Sequence, residues 1–279
     1  RIGLIMKGCG DTVRIAECEN CKKQYYAGHY RCRQKFCPEC EHIKSMMWCA
    51  RIMGEIQPII DDIYVHHGVL TVQSQERLKP MINELETSWR YLKNGHKTYR
   101  KQFKERFKGG VRSLEVKQGS GGHGWHAHYH VLMITDRTFQ RDIDWFKKAW
   151  QDCTSGKGQQ PYLKTVRKQT TLIKAVLEVC KYIIKFDTEY KDYQLIELVH
   201  SLYKKRRVNA FGMMYGIASK VEHDIQEMDK KEGSLEDFLC AACGSVTAKL
   251  ILKHYSDVRY NYYDDVCRLE KTNKKRAGG

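Results

Sequence analysis

Residues 124–134, GWHAHYHVLMI, constrain the fold of this chain more than any other stretch. His126, His128 and His130 stand at alternate positions, with Trp125, Ala127, Tyr129, Val131 and Met133 between and beyond them. Successive side chains of a strand point to opposite faces, so the alternation predicts a strand with one apolar face and one face of imidazoles. VRSLEVKQ at 111–118 reads as a second strand, and the glycine-rich GSGGH between them makes the pair a β-hairpin with a long loop.

Histidines two apart on a strand lie roughly 7 Å from each other and those four apart roughly 13 Å, so only neighbours can chelate one ion easily. Hard divalent cations such as Mg²⁺ and Mn²⁺ also favour a carboxylate, and the paired strand offers Glu115. The hairpin therefore predicts a catalytic metal held by Glu115, His128 and His130, with His126 set toward the turn. Imidazole and carboxylate with open water positions form a Lewis-acid arrangement. The bland alternative, packing or surface histidines, suits a single imidazole better than three on one face in a chain with 12.

The formal net charge of +16 points to a polyanionic partner, and nucleic acid fits best, because neutralised phosphates release counterions. Membrane surfaces and acidic proteins are the competing partners. A hydrophobic content of 42% is enough for a core. There is no apolar run long enough to span a bilayer, and the opening RIGLIMKGCG lacks the apolar region of a secretory signal. A cytoplasmic protein with no membrane partner is expected.

Twelve cysteines in such a chain suggest metal ligation rather than disulfides. Cys18 and Cys21 form one CxxC, and Cys37 and Cys40 form another. Together they predict a tetrahedral structural Zn²⁺ site, with Cys32 as an alternative thiolate and His29 or His42 as other substitutes. A further CxxC at Cys240 and Cys243 stands alone. It either completes a second site with Cys267, His254 or Cys9, or packs as ordinary thiols.

Elsewhere HIKSMMWCARIMGEI (42–56) has helical periodicity, YVHHGVLTVQS (64–74) reads as a strand, and 79–107 as a polar helical stretch ending in a basic run. A helix is expected at 141–152, a short strand near 162–167, and a helix over about 170–187. On that last helix Ile173, Val176, Leu177, Cys180, Ile183 and Ile184 gather on one face. Glu178, Lys181, Tyr182 and Lys185 lie on the other. A tyrosine that merely filled the core would sit on the apolar stripe, whereas Tyr182 points with the charges. A phenol has a pKa near 10 and needs help to attack at neutral pH, which Lys181, Lys185 and a metal-bound phosphate would supply. Glu178 suits a base for a second attacking group. The plain alternative is an exposed tyrosine beside ordinary helix ion pairs.

These pieces together resemble the HUH endonucleases, specifically the replication initiators of bacterial rolling-circle plasmids in the Rep_1 family. The matching stretches are FCPEC, SLEV, WHAHYHVLM and EVCKYIIK, and the resemblance covers roughly residues 30–215. It implies an α+β fold: a five-stranded antiparallel sheet flanked by helices, preceded by a zinc-binding segment. The domains expected are 1–55 for zinc, 56–216 for the endonuclease and 217–279 for an extension. It implies His128 and His130 as metal ligands with Glu115 as a further one, Tyr182 as nucleophile and Glu178 as the base that ends a replication round. GVLTVQS, with Thr71, resembles the family's first strand, and KKRRVNAFG, with Arg206 and Arg207, its basic segment. These and Lys117 are the expected DNA contacts. The usual cysteine pattern of the family resembles Cys32, Cys37 and Cys40 with one more distant cysteine, which leaves Cys18 and Cys21 extra. The implied reaction is site- and strand-specific nicking at a plasmid origin through a 5′-phosphotyrosine, followed by strand transfer. Single-stranded or hairpin origin DNA, a host helicase and a host polymerase are the implied partners, in the bacterial cytoplasm. Trp125, Tyr129 or His66 would stack bases. The rivals are a relaxase or single-strand transposase of the same chemistry, a non-catalytic zinc-containing DNA-binding protein, and a small-molecule metallohydrolase. The last leaves the charge and the polar-face tyrosine unexplained.

Overall fold

The computed structural model describes residues 9–34, 36–95, 97–118, 124–136, 143–158, 161–166, 169–181, 190–231, 234–236 and 238–254. In chain order its main elements are β1 (Thr12–Cys18), β2 (Gln24–His29), α1 (Pro38–Ile56), β3 (Tyr64–Thr71), α2 (Leu78–Arg90), α3 (Lys97–Arg106), β4 (Gly109–Gln118) and β5 (Trp125–Thr135). There follow α4 (Ile143–Cys153), β6 (Tyr162–Val166), α5 (Gln169–Cys180), α6 (Asp192–Leu202), β7 (Val208–Gly212), α7 (Ile217–Lys231) and β8 (Ala248–His254). The chain divides into two compact units, one of residues 45–221 and one of 1–44 together with 222–279. Described residues 9–44 and 222–254 thus share one unit, whereas the segments expected from sequence run consecutively along the chain.

The unit of residues 45–221 is α+β, with a five-stranded sheet in the order β6-β3-β5-β4-β7 and every neighbouring pair antiparallel. β5 lies at the centre, as its almost continuous burial requires. Its Trp125–Tyr129–Val131 face packs under α2: Trp89 lies edge-on to Tyr129 at 6.4 Å and to Phe211 at 5.5 Å, and Phe103 of α3 joins the cluster. Aromatic rings carry the largest buried area per residue and favour such edge contacts. The Arg112 guanidinium sits 4.2 Å above the Tyr129 ring, a cation held over an aromatic face. α5 covers the opposite, histidine face of the sheet, packing against β4, β5 and β6. At the β4–β7 edge Gly212 adopts φ +59°, and a Cβ there would come within 2.2 Å of the Lys108 carbonyl oxygen. Only glycine lets β7 approach so closely.

The other unit carries a second sheet, β2-β1-β8, also antiparallel, which sequence periodicity did not reveal. Among the described residues Ala16, Cys18, Tyr25, Phe238 and Cys240 form one buried cluster against it, and Val13 and Ile15 of β1 are buried as well.

The adjacent pair His66 and His67 puts one imidazole on each face of β3. His66 is buried between two hydroxyls, Nδ1 3.1 Å from Thr165 Oγ1 and Nε2 3.0 Å from Thr135 Oγ1. It is 1% exposed, and burial pushes its pKa down to about 4. The unfolded chain takes up this proton near pH 6.5 and the folded chain does not, so acidification from about 6.5 to about 4 removes stability. A loss of about 3 kcal/mol is expected from this site, read as a falling urea midpoint; His66→Gln should flatten the slope over that interval.

Candidate active site

The register of the hairpin builds the site. Glu115 on β4 pairs directly with His128 on β5, and Ser113 with His130. Directly paired residues share a face, and so do residues two apart, so Glu115, His128 and His130 all point to one side. Glu115 Oε2 lies 2.9 Å from His130 Nε2 and 3.6 Å from His128 Nε2, and the two imidazole nitrogens are 3.2 Å apart. All three side chains are buried. Burial by itself would raise the Glu115 carboxyl, but hydrogen bonds from His128 and His130 outweigh it and hold it well below the usual carboxylate range. Burial also lowers His128, against the pull of Glu115. Both shifts favour the deprotonated form that metal binding needs at Glu115 and His128.

One proton on an imidazole serves only one of the three contacts in this cluster, whereas a cation serves them all. Ligand bonds of about 2.1 Å at right angles hold donor atoms about 3 Å apart, which is the spacing seen here. The donor set therefore fits a divalent ion. His126 stands aside: its Nδ1 is 3.2 Å from Ser74 Oγ, and its ring lies 5.3 Å from that of His128. Lys117 is half-buried on the same face of β4, close enough to disfavour protonation of His126 and His128.

His67 completes this face, its ring stacked on that of His130 at 5.8 Å. Sequence reasoning passed over it, although an adjacent histidine pair on a strand must send one imidazole to each side. Burial brings His67 down to about 4, aided by His130 and Lys181 and opposed by the Glu178 carboxylate. Glu178 and Lys181 form an ion pair at the end of α5. With His67, Tyr162, Lys164 and Lys174, Glu178 lines a cavity of about 390 Å³. The end of α5 therefore faces the histidine side of the sheet.

Three expectations need correction. The buried stripe of α5 is Leu172, Ala175, Val176, Val179 and Cys180, while Ile173 and Leu177 are both 43% exposed. The helix ends at Cys180, and Tyr182 and Lys185 lie outside the described residues. Among the expected DNA contacts, Arg206 is exposed, but Thr71 and Arg207 are buried. Arg207 instead donates from Nη2 to the Cys180 carbonyl at 2.5 Å, a carbonyl that also receives the Ser45 hydroxyl. A buried cation at a helix C-terminus complements the macrodipole, which explains why it turns inward. Trp125, Tyr129 and His66 are buried as well, so none of them presents a face to a base.

The cysteines also regroup. Cys37 and Cys40 cluster with Cys32 and Cys9, and Cys18 and Cys21 cluster with Cys240 and Cys243. The expected set of Cys18, Cys21, Cys37 and Cys40 is therefore divided between two tetrads. Cys9 comes within reach because Gly10, at φ +83°, turns the chain so that its N–H bonds the Tyr30 carbonyl. Cys9 Sγ then lies 3.5 Å from Cys40 Sγ.

A profile of the Rep_1 family, described as replication protein, matches residues 23–240. A protein named Protein rep from Streptococcus pneumoniae serotype 2 (strain D39) is 26% identical over 233 residues, covering 77% of this chain and 70% of that protein. Proteins of the same name from Bacillus amyloliquefaciens and a Bacillus species are each 27% identical, over 63% and 61% of this chain and 60% and 61% of their own lengths. No solved structure matches the chain. Because the family profile runs through Cys32, Cys37 and Cys40, the histidine hairpin and α5 rather than through one motif, the kinship extends over most of the sequence, and the chain belongs to the Rep_1 family of plasmid replication initiators.

Proposed function

We propose that this initiator nicks one strand of origin DNA through Tyr182 and keeps the 5′-phosphate as a phosphotyrosine. The observation that carries the reading is the convergence of Glu115, His128 and His130 on the side of the sheet faced by Glu178 and Lys181, which stand four residues and one residue before Tyr182 in the chain. Glu115, His128 and His130 would hold Mn²⁺ or Mg²⁺, which supplies Lewis-acid polarisation of the scissile phosphate when bound. The tyrosine oxygen forms a bond to phosphorus as the bond to the 3′ oxygen breaks, and that oxygen leaves as a 3′-hydroxyl that primes a host polymerase. Lys181 and Lys185 lower the cost of ionising the phenol. Glu178 is the base for the second attacking group, water or another 3′-hydroxyl, which releases or transfers the strand.

Single-stranded or hairpin DNA suits the wall of the cavity beside His67: Tyr162 is 58% exposed, and Lys164 and Lys174 flank it. An exposed ring among basic side chains is the usual means of holding unpaired bases. Lys117 and Arg206 remain the candidates for further phosphate contacts. A host helicase would unwind the duplex ahead of the primed end. Cys9, Cys32, Cys37 and Cys40 would hold a structural Zn²⁺, their thiols lying within 4.8 Å of one another.

The chain incubated with a single-stranded origin library and Mn²⁺ should form a covalent protein–DNA band in denaturing gels. Tyr182→Phe should abolish it; a Tyr182→Phe protein that still forms the band would sink the nucleophile assignment. Glu178→Gln should retain the first adduct and slow strand release by about 10²-fold or more. In calorimetric titration, His130→Ala should weaken Mn²⁺ binding by at least about tenfold, whereas the same change at His126 should leave it within about twofold.

A further inference from the structure

We infer that Cys18, Cys21, Cys240 and Cys243 form a second tetrathiolate zinc site, a clasp that fastens the C-terminal strand β8 to β1. Their sulfur atoms all lie within 4.8 Å of one another, with Cys18 3.6 Å from Cys243 and Cys21 3.4 Å from Cys240. Zinc–sulfur bonds of about 2.3 Å in a tetrahedron place sulfurs about 3.8 Å apart. The spacing is close to that value and far from a disulfide bond of about 2.05 Å.

The two CxxC segments also share one backbone geometry, hydrogen bond for hydrogen bond. The N–H of Cys18 bonds the Lys23 carbonyl, and the N–H of Cys240 bonds the Ser245 carbonyl, both at 2.8 Å. The N–H of Lys22 returns to the Cys18 carbonyl at 3.0 Å, and that of Gly244 to the Cys240 carbonyl at 2.8 Å. The residue after each second cysteine is left-handed, Lys22 at φ +61° and Gly244 at φ +71°. Lysine rarely adopts this conformation, and it persists where the surroundings demand it. The Cys18 sulfur accepts from the N–H groups of Asn20 and Cys21, and the Cys240 sulfur from those of Ala242 and Cys243. Donors aimed at sulfur in this way stabilise thiolates, which are the form that binds metal. The Tyr25 hydroxyl adds a further contact, 3.0 Å from Cys240 Sγ.

The position gives the site its consequence. Cys18 ends β1 and pairs with Ala248, the first residue of β8. One knuckle follows the central strand of the sheet and the other precedes its C-terminal edge strand, so the metal joins segments separated by the whole catalytic unit in sequence. Among the described residues of the unit of 1–44 and 222–279, the two knuckles use the four cysteines left over when Cys9, Cys32, Cys37 and Cys40 are taken by the first tetrad.

The test is zinc stoichiometry of the full chain, purified without chelators. Two zinc ions per chain are expected, falling to one in Cys240→Ser/Cys243→Ser and to one in Cys9→Ser/Cys37→Ser. Intact mass without reductant should show no disulfide. A stoichiometry of one that Cys240→Ser/Cys243→Ser leaves unchanged, or a mass matching two disulfides, would overturn the clasp. Cobalt titration of the metal-free wild-type chain avoids reliance on the variants. It should reach the thiolate-to-cobalt spectrum of a four-sulfur site in two equivalents, and saturation at one equivalent would equally overturn the proposal. Limited proteolysis of Cys240→Ser/Cys243→Ser should open cleavage within residues 238–254, while the wild-type chain with zinc stays intact there.

Discussion

The pairing of Glu115 with His128 is the constraint on which the unit of residues 45–221 depends. Strand side chains alternate with period two, so a slip of one residue between β4 and β5 would turn His128 and His130 toward Trp89 and carry Tyr129 to the polar side. The aromatic cluster prevents this. Tyr129 is sealed between Trp89 and the Arg112 guanidinium, and exposing it would forfeit both contacts. The histidine face is therefore specified from behind, by packing on the other side of the same strand. The Glu115 carboxyl is held below the usual carboxylate range in a buried place by hydrogen bonds from His128 and His130, which ties the electrostatics of the face to the same register.

A second constraint acts at the end of α5. The Cys180 carbonyl is one of the unpaired groups that every helix leaves at its C-terminus, and here it receives both the Arg207 guanidinium and the Ser45 hydroxyl. Arg207 comes from the start of β7 and Ser45 from α1, so two distant segments fix the point where the helix stops. Lys181 and Tyr182 follow that point directly in the chain. A basic segment that looked like a phosphate contact in sequence is thus divided: Arg206 faces solvent, and Arg207 positions the helix that carries the candidate catalytic residues.

What was legible in the sequence was local. The histidine alternation, the position of Glu115 in the facing strand and the pairing of those two strands as a hairpin follow from period-two patterning and a glycine-rich connection. The apolar stripe of α5 was legible only in part, since residues 172–180 offer two adjacent stripes, and the sheet, not the helix, decides which one is buried. Arg207 could not be read as buried, because its acceptor is a main-chain carbonyl 27 residues earlier. The cysteine tetrads failed for the same reason. Spacing along the chain favoured Cys18 and Cys21 with Cys37 and Cys40, but the partner of each CxxC is chosen by strand pairing, and β8 supplies Cys18 and Cys21 with a partner more than 200 residues away.

That distance is less of an obstacle than it looks. Loop-closure entropy grows only logarithmically, so each doubling of length adds about 0.6 kcal/mol. The strand β8 itself brings little apolar surface to bury: its Leu250 and Leu252 are 41% and 59% exposed. A strand so exposed is poorly held by hydrophobic contact alone, and small domains in this position are stabilised by disulfides or metals. The sulfurs stand too far apart for the first and at the right distance for the second. Metal–thiolate bonds supply folding free energy outright, and a site whose ligands come half from each end of the chain can form only after the segment between them has been made. The clasp would thus close only after the residues of the unit 45–221 have been made and are able to fold around their own core.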